Sequence, residues 1–239
     1  MVSHNTVAIV CYFAGSVKDY HTQFEHLGIA WRPERCPHCG GEHTCLLWGT
    51  YLRWVYTTLD RVQIHIQRVR CRVCGVTDAL LPSFLHLFRR YTLSLIQQAL
   101  TLALDAGQWG VALVEQVGPY HQPAPQTLVE WVWSFAHGAT KLQCWLQLAL
   151  TTLAPLVILD PGRLPEHLRA IRSPTRQAAF TRAWEFLRLG EVLYATTRAR
   201  QTDLAFQAES LLAFLAAALG AAGQTPRLLW RQPQARAPT

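Results

Sequence analysis

The 239-residue sequence predicts an α+β fold in which a β-rich, cysteine-bearing module precedes a helical remainder. Three observations carry this. Two Cys-x-x-Cys-Gly units, Cys36-Pro37-His38-Cys39-Gly40 and Cys71-Arg72-Val73-Cys74-Gly75, flank a stretch rich in aromatic and β-branched residues. Within that stretch Val62, Ile64 and Ile66 alternate with Arg61, Gln63, His65 and Gln67, the period of a half-buried strand. From Tyr91 onward the apolar period lengthens to that of a helix, first at Leu93, Ile96, Ala99, Leu100, Ala103 and Leu104.

Taken in order, the apolar run Val7 to Phe13 reads as a short buried strand closed by Gly15. Ser16 to Leu27, with Val17, Tyr20, Phe24 and Leu27 at helical spacing, reads as a helix packed on the β module. The two cysteine units are then joined by a β-hairpin. On its first strand Trp48, Leu52, Trp54 and Tyr56 share one parity and so one face, and core packing is favoured over base stacking for Trp48 and Trp54. Arg68 and Arg70 fall on the apolar parity of the return strand, which predicts a bulge or sharp twist near Gln67 and Arg68 that turns both guanidinium groups outward. Leu80 to Leu85 ends this module.

The two Cys-x-x-Cys units predict one structural Zn²⁺ held by Cys36, Cys39, Cys71 and Cys74. A two-residue gap lets both sulfurs of a pair reach one tetrahedral ion, and a glycine after the second cysteine lets the chain turn back beneath it. Paired disulfides or unliganded thiols are the competing reading, and doubled Cys-x-x-Cys units favour metal. Cys45, His38 and His43 lie near enough to substitute as ligands but are expected to be bystanders, and Cys11 and Cys144 to be core residues.

Beyond the ribbon, helices are expected at Tyr91 to Ala106, at Gln108 to Val117, and from after Pro123-Ala124-Pro125 to Gly138. A short second helix and a tight turn match the helix-turn-helix plan, in which the third helix presents Gln126, Thr127 and Glu130 to bases. That third helix has no arginine or lysine, so a scaffold or protein-contact role competes with DNA contact. Thr140 to Leu153, Pro165 to Ile171, Thr175 to Leu189 and Thr202 to Leu219 continue the helical half. The tail has the composition of disorder, with Leu228-Leu229-Trp230 as a partner-binding anchor. The organisation expected is 1–88, 89–138, 139–219 and a disordered 220–239.

Net charge is +7 and rests on arginine, the lysines being Lys18 and Lys141 alone. Residues 51–90 carry Arg53, Arg61, Arg68, Arg70, Arg72, Arg89 and Arg90 against Asp60 and Asp78, a net of +5, whereas 91–160 are net −3. Arginine's always-ionised fork suits phosphate, and the clustering points to a nucleic-acid footprint, with duplex DNA the expected partner. Arg169, Arg172, Arg176, Arg182 and Arg188 line a second positive surface or a merely solvated one. No signal peptide or membrane-spanning run is read, and reduced thiols point to the cytoplasm.

The arrangement CPHCGG…GTYLRW…RVQIHIQRVRCRVCGVTDALLPSFL…RRYTL resembles an uncharacterised bacterial family of transposase-like zinc-ribbon proteins, in which a ribbon with a Leu-Pro-Ser-Phe and Arg-Arg-Tyr signature precedes a helix-turn-helix. The resemblance spans Val7 to Phe135 and implies recognition of mobile-element or other DNA. It implies no catalytic activity. A transposase nuclease needs acidic ligands for two metals, and after the third helix only Asp160 and Asp203 remain among aspartates, without strands to seat them. The chain is thus expected to be non-enzymatic: an accessory or targeting factor of a mobile element, or a regulator. The alternative is an adaptor docking on a recombinase, transposase or polymerase subunit.

Overall fold

The computed structural model describes residues 8–11, 13, 15–85, 90–117, 123–153, 160–200 and 210–221. Arg89, most of the tail and the Leu228-Leu229-Trp230 segment lie outside them.

Strands β1 (Ile9–Cys11), β2 (Cys45–Tyr56), β3 (Arg61–Cys71) and β4 (Thr77–Pro82) form one sheet in the order β1-β4-β3-β2. β2 and β3 are the expected hairpin. Its turn is closed by Thr57, whose hydroxyl meets the Asp60 carboxylate at 2.7 Å. β4 leaves the second cysteine unit and pairs antiparallel with β3, Gln67 opposite Leu80 and Arg70 opposite Thr77. β1 then adds parallel to β4, Ile9 opposite Leu80.

Helix α1 (Val17–Ala30) starts as the sequence dictates. Ser16 caps it, its hydroxyl accepting from the Asp19 N–H, while the Asp19 carboxylate accepts from the Ser16 N–H at 2.7 Å. Its apolar side meets the sheet at an aromatic cluster in which Tyr20 stacks on Trp31 and meets Phe13 and Phe84 edge-on. The Tyr20 hydroxyl donates to the His65 carbonyl at 2.8 Å, so the buried phenol keeps a partner. The Leu-Pro-Ser-Phe signature has an architectural role here. Leu81 and Phe84 are core residues, and the buried Ser83 hydroxyl accepts from the Phe13 N–H at 3.1 Å, tying β1 to the end of β4.

Helices α2 (Leu93–Leu104), α3 (Val111–Gln116), α4 (Pro125–Leu153), α5 (Glu166–Arg169), α6 (Pro174–Arg200) and α7 (Leu211–Ala221) share one hydrophobic core. α4 packs along α6, and α2 lies against α4 and α7. The helix expected to stop at Gly138 runs on without a break to Leu153, absorbing the helix expected at Thr140. Gly138 is buried between the buried Ala136 and Ala139, and packing on α6 outweighs the roughly 1 kcal/mol that glycine costs a helix interior. α3 is also shorter than expected.

The two regions meet at Tyr56. Its N–H donates to the Arg90 carbonyl and its carbonyl accepts from Thr92, while its ring lies 5.3 Å from Tyr91, which in turn meets Trp131 at 4.8 Å. Thr92 then caps α2, its hydroxyl accepting from the Leu95 N–H. Among the described residues, no helix is long and apolar enough to cross a membrane.

Candidate metal centre and the arginine strand beside it

Each cysteine unit folds into the same knuckle. Cys36 donates its N–H to the Gly41 carbonyl and accepts from the Gly40 N–H; five residues on from its first cysteine, the second unit repeats this with Cys71, Val76 and Gly75. Gly40 and Gly75 both hold φ at +72°, a left-handed conformation that a Cβ would strain.

The two knuckles face one another so that the Sγ atoms of Cys36, Cys39, Cys71 and Cys74 all lie within 4.8 Å of one another. Cys36 to Cys74 and Cys39 to Cys71 are both 3.7 Å. Four sulfurs at about 2.3 Å from a tetrahedral zinc stand about 3.8 Å apart, so the spacing fits that ion. It is too long for a disulfide, whose sulfurs are about 2.05 Å apart, and the four thiols are free.

The thiols of the cluster differ in acidity. The Thr44 hydroxyl, 3.2 Å from Cys71 Sγ, and the Cys74 N–H draw the Cys71 thiol down to about 6, so one thiolate is present at neutral pH. The Val76 N–H favours the thiolate of Cys74, but burial among neighbouring sulfurs wins and pushes it up to about 12. Cys39 is raised in the same way against the Gly41 N–H. Four thiolates sharing so small a volume repel unless a cation sits between them, which is why the set suits a metal.

The other candidates take structural places. His38 Nε2 lies 2.9 Å from Asp78 on β4, which ties the first knuckle to the sheet. Cys45 is buried behind the cluster and its thiol is pushed up to about 11, chiefly by burial. Cys11 is buried as expected. Cys144, expected in the core, is instead exposed on α4, because the helix turns its core stripe to Leu142 and Leu146.

The predicted distortion opposite Arg68 is present, with the extra residue on the partner strand: Leu47 pairs with Val69 and Thr50 with Gln67, leaving Trp48 and Gly49 against Arg68. Gly49 takes φ +72° there. Gln67 is consequently buried, its amide donating to the Gly49 carbonyl at 2.9 Å, and Arg68 and Arg70 are exposed. Arg61, Arg72 and Arg90 are exposed too, while Arg53 is half-buried beside Tyr51 and burial holds it below arginine's ordinary value. Among the described residues, no carboxylate lies within ion-pair distance of Arg61, Arg68, Arg70 or Arg72.

Trp48 and Trp54 are not core residues, contrary to the reading from parity. They are 50% and 38% exposed, and Leu52 between them is 51% exposed. β2 is the sheet's outer edge, and α1 contacts β3 instead, so among the described residues no helix packs over that strand. The Arg70 guanidinium lies 4.7 Å over the Trp48 ring and Arg61 lies 3.9 Å over Trp54.

In the helical half several basic residues are engaged otherwise, while Arg169 and Arg172 are exposed. Arg188 pairs with Asp105 at 2.8 Å and Glu191 at 2.7 Å, Arg182 donates to the Thr140 hydroxyl, and Arg176 lies over Trp109 and Phe180. At the start of α4, Gln126 is exposed and Thr127 half-buried.

A family model described as a domain of unknown function, DUF6431, matches residues 36–108, from the first knuckle cysteine to just beyond α2. No curated protein matches the chain, and no solved structure does.

Proposed function

We propose that the chain is a zinc-stabilised DNA-binding protein of the cytoplasm, non-enzymatic, in which Cys36, Cys39, Cys71 and Cys74 hold one structural Zn²⁺ and complete a zinc ribbon. Four protein thiolates leave a tetrahedral zinc no open position, which suits a structural ion. The observation that carries the reading is the row of exposed cations on β3 and the second knuckle, Arg61, Arg68, Arg70 and Arg72, without carboxylate partners among the described residues. Phosphates of a nucleic acid are the complementary ligand. Arg53, Arg89 and Arg90 extend the same footprint, with Gln126 and Thr127 at the start of a helix-turn-helix formed by α2, α3 and α4. The resemblance to transposase-like zinc-ribbon proteins supports a role as accessory or targeting factor of a mobile element, or as a regulator.

Salt-dependent binding of the zinc-loaded chain to a DNA duplex tests this. Arg68→Ala with Arg70→Ala should weaken binding and flatten the slope of log K against log salt by about 2, close to one per lost phosphate contact. An unchanged slope would remove those arginines from the interface.

A second reading is favoured by one observation: the start of α4 carries no cation. Here the chain is an adaptor that docks on a recombinase, transposase or polymerase subunit. Co-purification with such a subunit, without DNA retention, would select it.

A further inference from the structure

We propose that the edge strand β2 is a stacking platform for unpaired bases, so that the preferred ligand of the basic ribbon is a single strand or an opened duplex. This rests on the nucleic-acid reading above and narrows its substrate.

Three features of β2 converge. It is the outer strand of the sheet, and Leu47, Trp48, Tyr51, Leu52 and Trp54 stand exposed along it. Indoles left this open lose the stabilisation of burial, and no described element packs over them. Each indole carries a guanidinium on its ring, Arg70 on Trp48 and Arg61 on Trp54, which leaves ring surface for a second planar partner. The cations around the rings have no carboxylate partners among the described residues, so the surface pairs aromatic faces with positive charge. A nucleotide strand offers the complement, π-faces joined by phosphates.

The geometry separates single strand from duplex. In a duplex the base faces are already stacked on one another, so the indoles gain no partner. Moreover Trp54 pairs with Gln63 while Trp48 stands opposite Arg68, and side chains alternate along a strand, so the two indoles project to opposite sides of the hairpin. A duplex with a persistence length of about 150 bp addresses one side. A flexible single strand can cross the edge and meet both. A peptide adding to the edge strand would use the same backbone but leave the guanidinium groups uncompensated, so nucleic acid is the occupant the charges favour.

Binding of fluorescent oligothymidylate, and of a duplex of equal length, to the zinc-loaded full chain is the test, with sedimentation of the protein alone alongside. Trp48→Ala and Trp54→Ala should each weaken single-strand binding about tenfold, leaving duplex binding and zinc content unchanged, because each removes one base stack. Trp48→Phe should restore most of the loss. Duplex binding that exceeds single-strand binding, or single-strand binding indifferent to both tryptophans, overturns the platform and leaves the DNA reading standing. Absence of binding to either probe overturns both. Self-association that the two alanine variants abolish, with single-strand affinity unaltered, assigns the edge to a protein interface and also overturns it.

Discussion

The β module and the helical half hold themselves together by different means. Helices α2 to α7 bury a continuous apolar core from Leu93 to Leu219 and engage several of their arginines internally, as Arg188 does with Asp105 and Glu191. The β module buries a small aromatic cluster around Tyr20 and Phe84, leaves Trp48 and Trp54 exposed, and among the described residues leaves the arginines of β3 without carboxylates. A module with so little apolar burial needs a staple, and the four thiols supply the place for one. What the small core lacks in cohesion it returns as surface: the side chains absent from packing are those available to a ligand.

The strongest way to break this contrast is to remove the metal. Chelation, or Cys39→Ser, should abolish the β module's tertiary signal while the helical circular dichroism persists; equal loss in both halves would refute the division. Acidification should act on the same site with a defined sign. Zinc binds thiolates, and Cys39 and Cys74 are both raised, so each must give up a proton on binding. Affinity should fall as the pH is lowered from 8 to 6, by about tenfold per pH unit for each ligating thiol that is still protonated, and more steeply below about 6, where Cys71 is protonated too. Competition with a coloured chelator across that range measures it.

Next in size is Phe135→Ala, which empties a fully buried site against Phe186 in the helical core. It should cost about 3–5 kcal/mol in urea unfolding with one zinc per chain retained. Ser83→Ala leaves the buried Phe13 N–H without its acceptor and should cost about 1–3 kcal/mol, confined to the β module. Smallest is a pair of arginines that inverts between the regions. Arg188→Ala should cost about 1 kcal/mol of stability and leave nucleic-acid affinity alone, whereas Arg70→Ala should leave stability alone and weaken binding.

The cysteine cluster was legible because its information is local: spacing and a following glycine fix each knuckle without reference to the rest of the chain. Helix α1 was legible from the helical spacing of Val17, Tyr20, Phe24 and Leu27, whereas its cap, Ser16 with Asp19, emerges only in the structure. β4 was missed because its pairing is set by β3 and β1, and Thr77-Asp78-Ala79 carries no alternation of its own. Parity placed Trp48 and Trp54 on one face but a bulge at Gly49 shifts the register between them, and parity says nothing about whether a face is covered. Gly138 read as a stop because single-residue propensity ignores the packing of α4 on α6.

The parallel pairing of β1 with β4 has a consequence for biosynthesis. Ile9 leaves the ribosome well before Leu80, its partner in the sheet. At roughly 5–20 residues per second the first strand waits several seconds for a place to dock. During that interval its apolar side chains are open to chaperones or to other nascent chains, whereas the hairpin, made of neighbours in sequence, can zip as it emerges. Yield in the cell should therefore depend on the speed at which residues 12–80 are translated, a property set by codon choice and invisible in the finished molecule.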